Sequence, residues 1–253
     1  MPAQGGLLAP VPTESAGASW SRPRTAKGTI LMVSPPASTA PRSRLALRWR
    51  VVDIVVASVL GVAGGLVMTL WNLVYSPLTA PLEVALPGLQ ALTYAIWLFP
   101  AVLVALVVRR PGAALYGELV AATVSAMLGG MWGWTALAWG LVQGLGAEIV
   151  FAILLYRAWG LLPAILAGMG AGVGMVVMDL SFYYAGTRPE FMVVYAVSAI
   201  ASGAVIAGFG SWLLTRGLAR TGALSRFAAG RGGGVRSDDA PHSAQSEGAR
   251  SNS

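Results

Sequence analysis

Two glutamates, Glu118 and Glu148, stand near the ends of a stretch, 117–148, that is otherwise almost wholly apolar, and Gln143 lies five residues before the second. The centre of the stretch, Met131-Trp132-Gly133-Trp134, reads as a tight turn between two helices. An ionised carboxylate held in hydrocarbon costs about 2.5–3.5 kcal/mol on insertion scales. Two of them facing each other across a hairpin therefore point to a buried site for a small polar or cationic molecule. Glu118 follows Arg110 by eight residues and Glu148 precedes Arg157 by nine. At about 1.5 Å per residue, both lie about 12–14 Å from one membrane face, close to the midplane.

Other polar side chains fall in apolar surroundings. Asp179, Tyr183 and Tyr184 lie toward the outer end of the fifth apolar segment, and Asn72 toward the outer end of the first. Asp53 stands near the inner end of the first, within reach of Arg50, and reads as half of an interfacial ion pair. Polar side chains also cross-link helices, a use worth about 0.6 kcal/mol per hydrogen bond in lipid. For Gln143 and Asn72 both readings stand. For the carboxylates the ligand reading is preferred, because cross-linking does not require a charge. A proton relay needs a chain of titratable groups, and no histidine or lysine lies in any span. Aromatic residues gather on one side: Trp71, Tyr75, Tyr94 and Trp97 near one turn, Trp132, Trp134 and Trp139 near the next. Interfacial belts are common at both membrane surfaces. The imbalance toward one face favours a stacking cage instead, with Tyr94, Trp97, Trp71 and Trp134 as its candidates.

The elements that must position these residues are membrane helices. The chain is 56% hydrophobic and only 11% charged, against about a quarter charged in ordinary soluble domains, so it is an all-α integral membrane protein. Six apolar segments, approximately 49–75, 88–108, 112–130, 134–156, 161–184 and 191–216, are long enough to cross a bilayer. Arg42, Arg44, Arg48, Arg50, Arg109, Arg110, Arg157, Arg216, Arg220 and Arg226 all fall on one side of this arrangement, and Arg188 alone on the other. Positive charge collects on the cytoplasmic side, so both termini are expected there. Residues 1–46 and 223–253 read as disordered polar tails around a transmembrane domain, 47–222. The first external loop, 76–87, carries Pro77, Pro81 and Pro87, which argue against a long regular helix there. Ala57, Gly61 and Gly65 recur every four residues on one face of the first span, where another helix can approach closely.

Several functions are excluded. There is no G-x-x-x-x-G-K-[ST] phosphate loop, no cysteine, and a single histidine, His242, in the polar tail. No nucleophile has a base beside it, so a carrier or receptor without cofactor or metal is expected rather than an enzyme. The net charge of +7 sits at the membrane face and in the tails and implies lipid rather than nucleic acid as its partner. A stand-alone proton- or ion-coupled carrier for a small cationic or polar metabolite stays open as an alternative.

The strings Arg109-Arg110-Pro111-Gly112-Ala113-Ala114, Gly117-Glu118-Leu119-Val120-Ala121-Ala122 and Gln143-Gly144-Leu145-Gly146-Ala147-Glu148 with Phe151, and then Thr221-Gly222-Ala223-Leu224, resemble the YkoE family over residues 48–224. That resemblance implies a six-helix substrate-binding (S) component of an energy-coupling factor (ECF) importer for thiamine or its hydroxymethylpyrimidine precursor. It implies a transmembrane coupling subunit and two ATPase subunits as partners, with Ala57, Gly61 and Gly65 meeting the coupling subunit. Glu118, Gln143 and Glu148 become the first candidates for polar contacts, with Asp179 and Asn72 after them. The depth of the two glutamates leaves two possibilities: a deep pocket, or carboxylates that support a shallower one from below.

Overall fold

The computed structural model of the chain describes residues 48–221. The segments read as tails, with His242, lie outside the described residues. Helix α1 (Val51–Ala85) is followed by a 3-10 segment (Leu89–Trp97) that runs through Leu98 into α2 (Phe99–Val108). Next come α3 (Ala113–Met127), a short 3-10 turn (Gly133–Thr135), α4 (Ala136–Ile153) and α5 (Leu161–Phe182). The last element begins as α6 (Pro189–Ser202), widens into a π-helical segment (Gly203–Gly210) and ends as α7 (Ser211–Arg220). No strand occurs among the described residues.

Five of these stretches are long and apolar enough to cross a membrane: Val51–Ala85, Leu89–Val108, Gly133–Ile153, Leu161–Phe182 and Pro189–Arg220. The expected span 112–130 is represented by α3, whose 15 residues reach about 22 Å, short of a hydrocarbon core of about 30 Å.

Helix α2 sits at the centre. Every residue from Pro100 to Val108 is buried, and α1, α3, α4, α5 and α7 all pack on it. A helix that is apolar all round is stable only when neighbours cover every face, and the sequence FPAVLVALVV supplies no polar side.

Three expectations are corrected. Residues 76–85 are not a loop, because α1 continues through Pro77 and Pro81 for 35 residues. A proline removes one hydrogen bond and crowds the preceding turn, and two prolines four apart place both gaps on the same face. The 3-10 segment packs along the helix and supports it there. Second, Asp53 pairs with the Arg110 guanidinium at 2.9 Å, not with that of Arg50. From Arg50 it accepts the backbone N–H at 3.0 Å. Third, Ala57, Gly61 and Gly65 are buried inside the chain. A Cβ on Gly61 would stand 2.8 Å from Val120, and one on Gly65 would stand 2.6 Å from the Ala121 carbonyl oxygen. Their face receives α3, so it is not open to another subunit.

The same device recurs in α5 with two faces. In the run Gly168-Met-Gly170-Ala-Gly172-Val-Gly174, alternate glycines form two rows at four-residue spacing. Gly168 and Gly172 press on the backbone of Gly203, Gly208 and Ala199, while Gly170 and Gly174 press on that of Gly146 and Val142. Helix α5 is thereby held between α4 and the α6–π element at backbone-to-backbone distance.

Candidate functional site

A cavity of about 300 Å³ opens at the end of the bundle away from Arg109 and Arg110. That volume lies at the small end of the range of about 300–1,000 Å³ usual for small-molecule sites. Helices α1, α3, α4 and α5 each contribute one face to it. Helix α3 supplies Glu118, Ala122 and Ser125; α4 supplies Ala136, Trp139 and Gln143; α5 supplies Met175 and Asp179. These sets recur at three- and four-residue steps, the spacing of one helical face.

Aromatic rings line the wall. Tyr75 and Trp97 lie 4.9 Å apart, Trp97 and Trp132 6.0 Å, Trp132 and Tyr183 5.6 Å, and Tyr183 and Trp139 4.9 Å between centroids. Trp132, in the turn between α3 and α4, thus joins rings from the first half of the chain to rings from α4 and α5. Tyr75 donates from its hydroxyl to that of Tyr94 at 2.7 Å. Trp97 is oriented from behind: its indole N–H donates to Asn72 Oδ1 at 3.0 Å, and Asn72 donates in turn to Ser125 Oγ at 3.4 Å.

The polar groups of the cavity differ in how they are held. Glu118 is 1% exposed and accepts the Ala101 backbone N–H at 2.9 Å, in the first turn of α2. A carboxylate there meets both an orphan donor and the positive end of the helix dipole. Gln143 is buried at the wall, and its side-chain amide forms no hydrogen bond to any described residue. Asp179 accepts the Trp139 indole N–H at 2.5 Å and the Tyr195 hydroxyl, tying α4 and α6 to α5.

Of the residues expected at the site, Glu118, Gln143, Tyr94, Trp97 and Asp179 line the cavity. Glu148 does not. Its carboxylate accepts the backbone N–H of Gly112 at 2.5 Å and of Ala114 at 2.9 Å, and the Tyr156 hydroxyl at 2.8 Å. It caps α3 at the other end of the bundle. The expected depth fails because α4 stops at Ile153, five residues beyond Glu148. The following chain turns back through left-handed Leu155 and Tyr156, so Glu148 lies about 8 Å from the helix end. Opposite Glu118, α4 instead presents Gly140 and Gly144. Asn72 supports the wall without lining it. Trp134 is 65% exposed, and Trp71 lies on a separate shallow groove with Val67, Leu70 and Ile96. Trp139, Trp132, Tyr75, Tyr183 and Tyr184, noted among the aromatic and polar residues of the sequence but not among the candidate site residues, also line the cavity. The signal for Trp139 was its place four residues before Gln143 on one face of α4.

Replacing Glu148 with glutamine sets an amide N–H₂ against backbone donors and removes the charge from the α3 N-terminus. The expected result is a loss of about 2–3 kcal/mol of stability, read as a lower midpoint of unfolding in detergent, with ligand affinity unchanged. A fall in affinity at unchanged stability would contradict this placement.

Among the described residues no group of three or more His, Cys, Asp or Glu side chains comes together, so the cavity holds no such set of metal ligands. The fold and the cavity define a class: a multi-pass membrane protein with a cavity opening into its helix bundle. A crystal structure of an S-component of an ECF transporter superposes with a TM-score of 0.67 at 34% identity, covering 73% of this chain and 93% of that one. Residues 52–174 match the family model of the permease component of an ABC-type cobalt transport system. YkoE of Bacillus subtilis (strain 168), whose name assigns it to HMP/thiamine permeation, is 35% identical over 184 residues, 72% of this chain and 91% of that protein. The chain belongs to the YkoE family and is a component of a membrane transport system.

Proposed function

We propose that the chain is the substrate-binding subunit of an ATP-driven ECF importer and captures thiamine or hydroxymethylpyrimidine (HMP) from outside the cell. The observation that carries this reading is the cavity itself. It places a carboxylate, Glu118, and an amide with no hydrogen-bond partner among the described residues, Gln143, within a wall of aromatic rings. An aminopyrimidine offers an exocyclic amine to a carboxylate, ring nitrogens to an amide N–H, and a flat face to indole and phenol rings. Kinship with a protein named for HMP/thiamine permeation and likeness to an S-component support the same reading.

In this reading the membrane is the bacterial plasma membrane, and α3 crosses it as a short sixth span shielded by α1, α2 and α4. Local thinning of the bilayer accommodates a short helix at modest cost. Arg109, Arg110, Arg157, Arg216 and Arg220 then lie on the cytoplasmic side with both termini, and the cavity opens outward. The chain has no phosphate loop of its own, so a coupling subunit and two ATPase subunits supply the energy. Ala57, Gly61 and Gly65 face α3 and leave another surface for that contact.

The test is calorimetry of the purified chain with thiamine and HMP, followed by uptake into liposomes. Saturable binding by the chain alone, with uptake only after ATPase and coupling subunits are added, is expected. Gradient-driven uptake by the chain alone would establish a secondary carrier instead.

A further inference from the structure

Four carboxylates are buried among the described residues: Asp53, Glu118, Glu148 and Asp179. Three of them meet a positive pole. Asp53 pairs with the Arg110 guanidinium, Glu118 faces the N-terminal turn of α2, and Glu148 caps that of α3. Among the described residues Asp179 has only two donors, both neutral: the Trp139 indole and the Tyr195 hydroxyl. It also sits in the last turn of α5, which ends at Phe182, where the helix dipole adds negative potential rather than relieving it. Both of its oxygens act as acceptors, the wiring of an ionised carboxylate.

Burying a charge without a counter-charge is costly unless something else supplies one. Asp179 opens onto the cavity beside Trp139, Tyr183 and Tyr184, and among the described residues no lysine, arginine or histidine lines that cavity. The faces of these aromatic rings carry negative potential as well, so this wall as a whole favours a cation.

We infer that Asp179 is the counter-charge for a cationic centre on the ligand, and that it sets selectivity for a permanently cationic ligand over its neutral portion. The inference rests on the thiamine/HMP reading and refines it: thiamine carries a cationic thiazolium, whereas HMP is uncharged at neutral pH. Glu118 and Gln143 serve the pyrimidine common to both, and Asp179 serves the part that only thiamine has.

The experiment is calorimetry of the purified full chain and of Asp179→Asn with thiamine and with HMP. Asparagine keeps an acceptor for the Trp139 N–H and a partner for the Tyr195 hydroxyl while removing the charge. Thiamine affinity is expected to fall by about tenfold or more, as for a lost desolvated charge pair, with HMP affinity changed by less than about threefold. Tyr195→Phe, which retains the charge and removes one donor, is expected to preserve the thiamine-to-HMP affinity ratio. An equal loss for both ligands in Asp179→Asn would show that Asp179 only holds the rings in place, and no loss for either would show that its charge is not read. A collapse of the ratio in Tyr195→Phe would likewise overturn the inference. Binding of neither ligand by the unmodified chain would remove the functional reading, and this inference with it. Binding of both with an unchanged ratio in Asp179→Asn would remove the inference alone.

Discussion

Glu118→Gln is expected to weaken binding of both thiamine and HMP by about ten- to a hundredfold, since a hydrogen bond to a charged group is worth about 1.5–3 kcal/mol. The side chain is placed for this. Ala101 N–H holds it at 2.9 Å, which restricts its rotamer before any ligand arrives. Gly140 and Gly144 of α4 close over it, and a Cβ on Gly144 would stand 3.2 Å from the Glu118 Cβ. Glutamine fits the same space and can still accept the Ala101 N–H, so the fold is expected to persist. Glu118→Ala removes the acceptor as well and should lower stability by about 1–3 kcal/mol in addition, because a buried backbone donor is left without a partner. Calorimetry for affinity and thermal unfolding in detergent for stability separate the two effects. Unchanged affinity of Glu118→Gln for both ligands would reduce this carboxylate to a cap for α2.

Gly168→Val is expected to prevent accumulation of the folded protein. A Cβ at this position would overlap the Gly203 carbonyl oxygen and stand 2.7 Å from the Gly208 nitrogen. Both obstacles are backbone, and neither can swing aside as a side chain can. They belong to the π-helical segment Gly203–Gly210, an uncommon geometry that survives where its surroundings hold it. Separating α5 from this segment would also shift Asp179 relative to Tyr195 and disturb the cavity. The expected loss exceeds about 4 kcal/mol, within the small group of substitutions that fail through overpacking. Size-exclusion profiles and yield of solubilised protein read the effect. Gly217→Ala, whose added Cβ meets nothing within 4 Å, serves as the matched control. A monodisperse Gly168→Val chain with normal ligand affinity would show that the two helices can separate without consequence.

Much of the fold was legible because lipid imposes few choices. A backbone that cannot hydrogen-bond to its solvent must form helices, so long apolar runs read directly as spans. The reading failed at helix ends, where composition is a poor guide. Apolar residues continue from α4 into 154–156, yet Leu155 and Tyr156 turn left-handed and end the helix early. Pro77 and Pro81 suggested a break, yet α1 runs through both with the 3-10 segment packed along it. Those two misjudged ends displaced Glu148 from the midplane and turned an expected loop into helix.

By itself the sequence determined an all-helical membrane protein, its kinship, and the short set of polar and aromatic residues from which a site could be built. Those follow from composition, hydropathy and residue strings, which are local. Only the tertiary structure decided that Glu118 and Asp179 share a cavity while Glu148 caps a helix at the far end, and that the glycine face of α1 is spent on α3. A carboxylate's role depends on which pole it meets. In this chain that pole is a helix N-terminus for Glu118 and Glu148 and an arginine 57 residues away in sequence for Asp53, while Asp179 meets only neutral donors beside an aromatic wall.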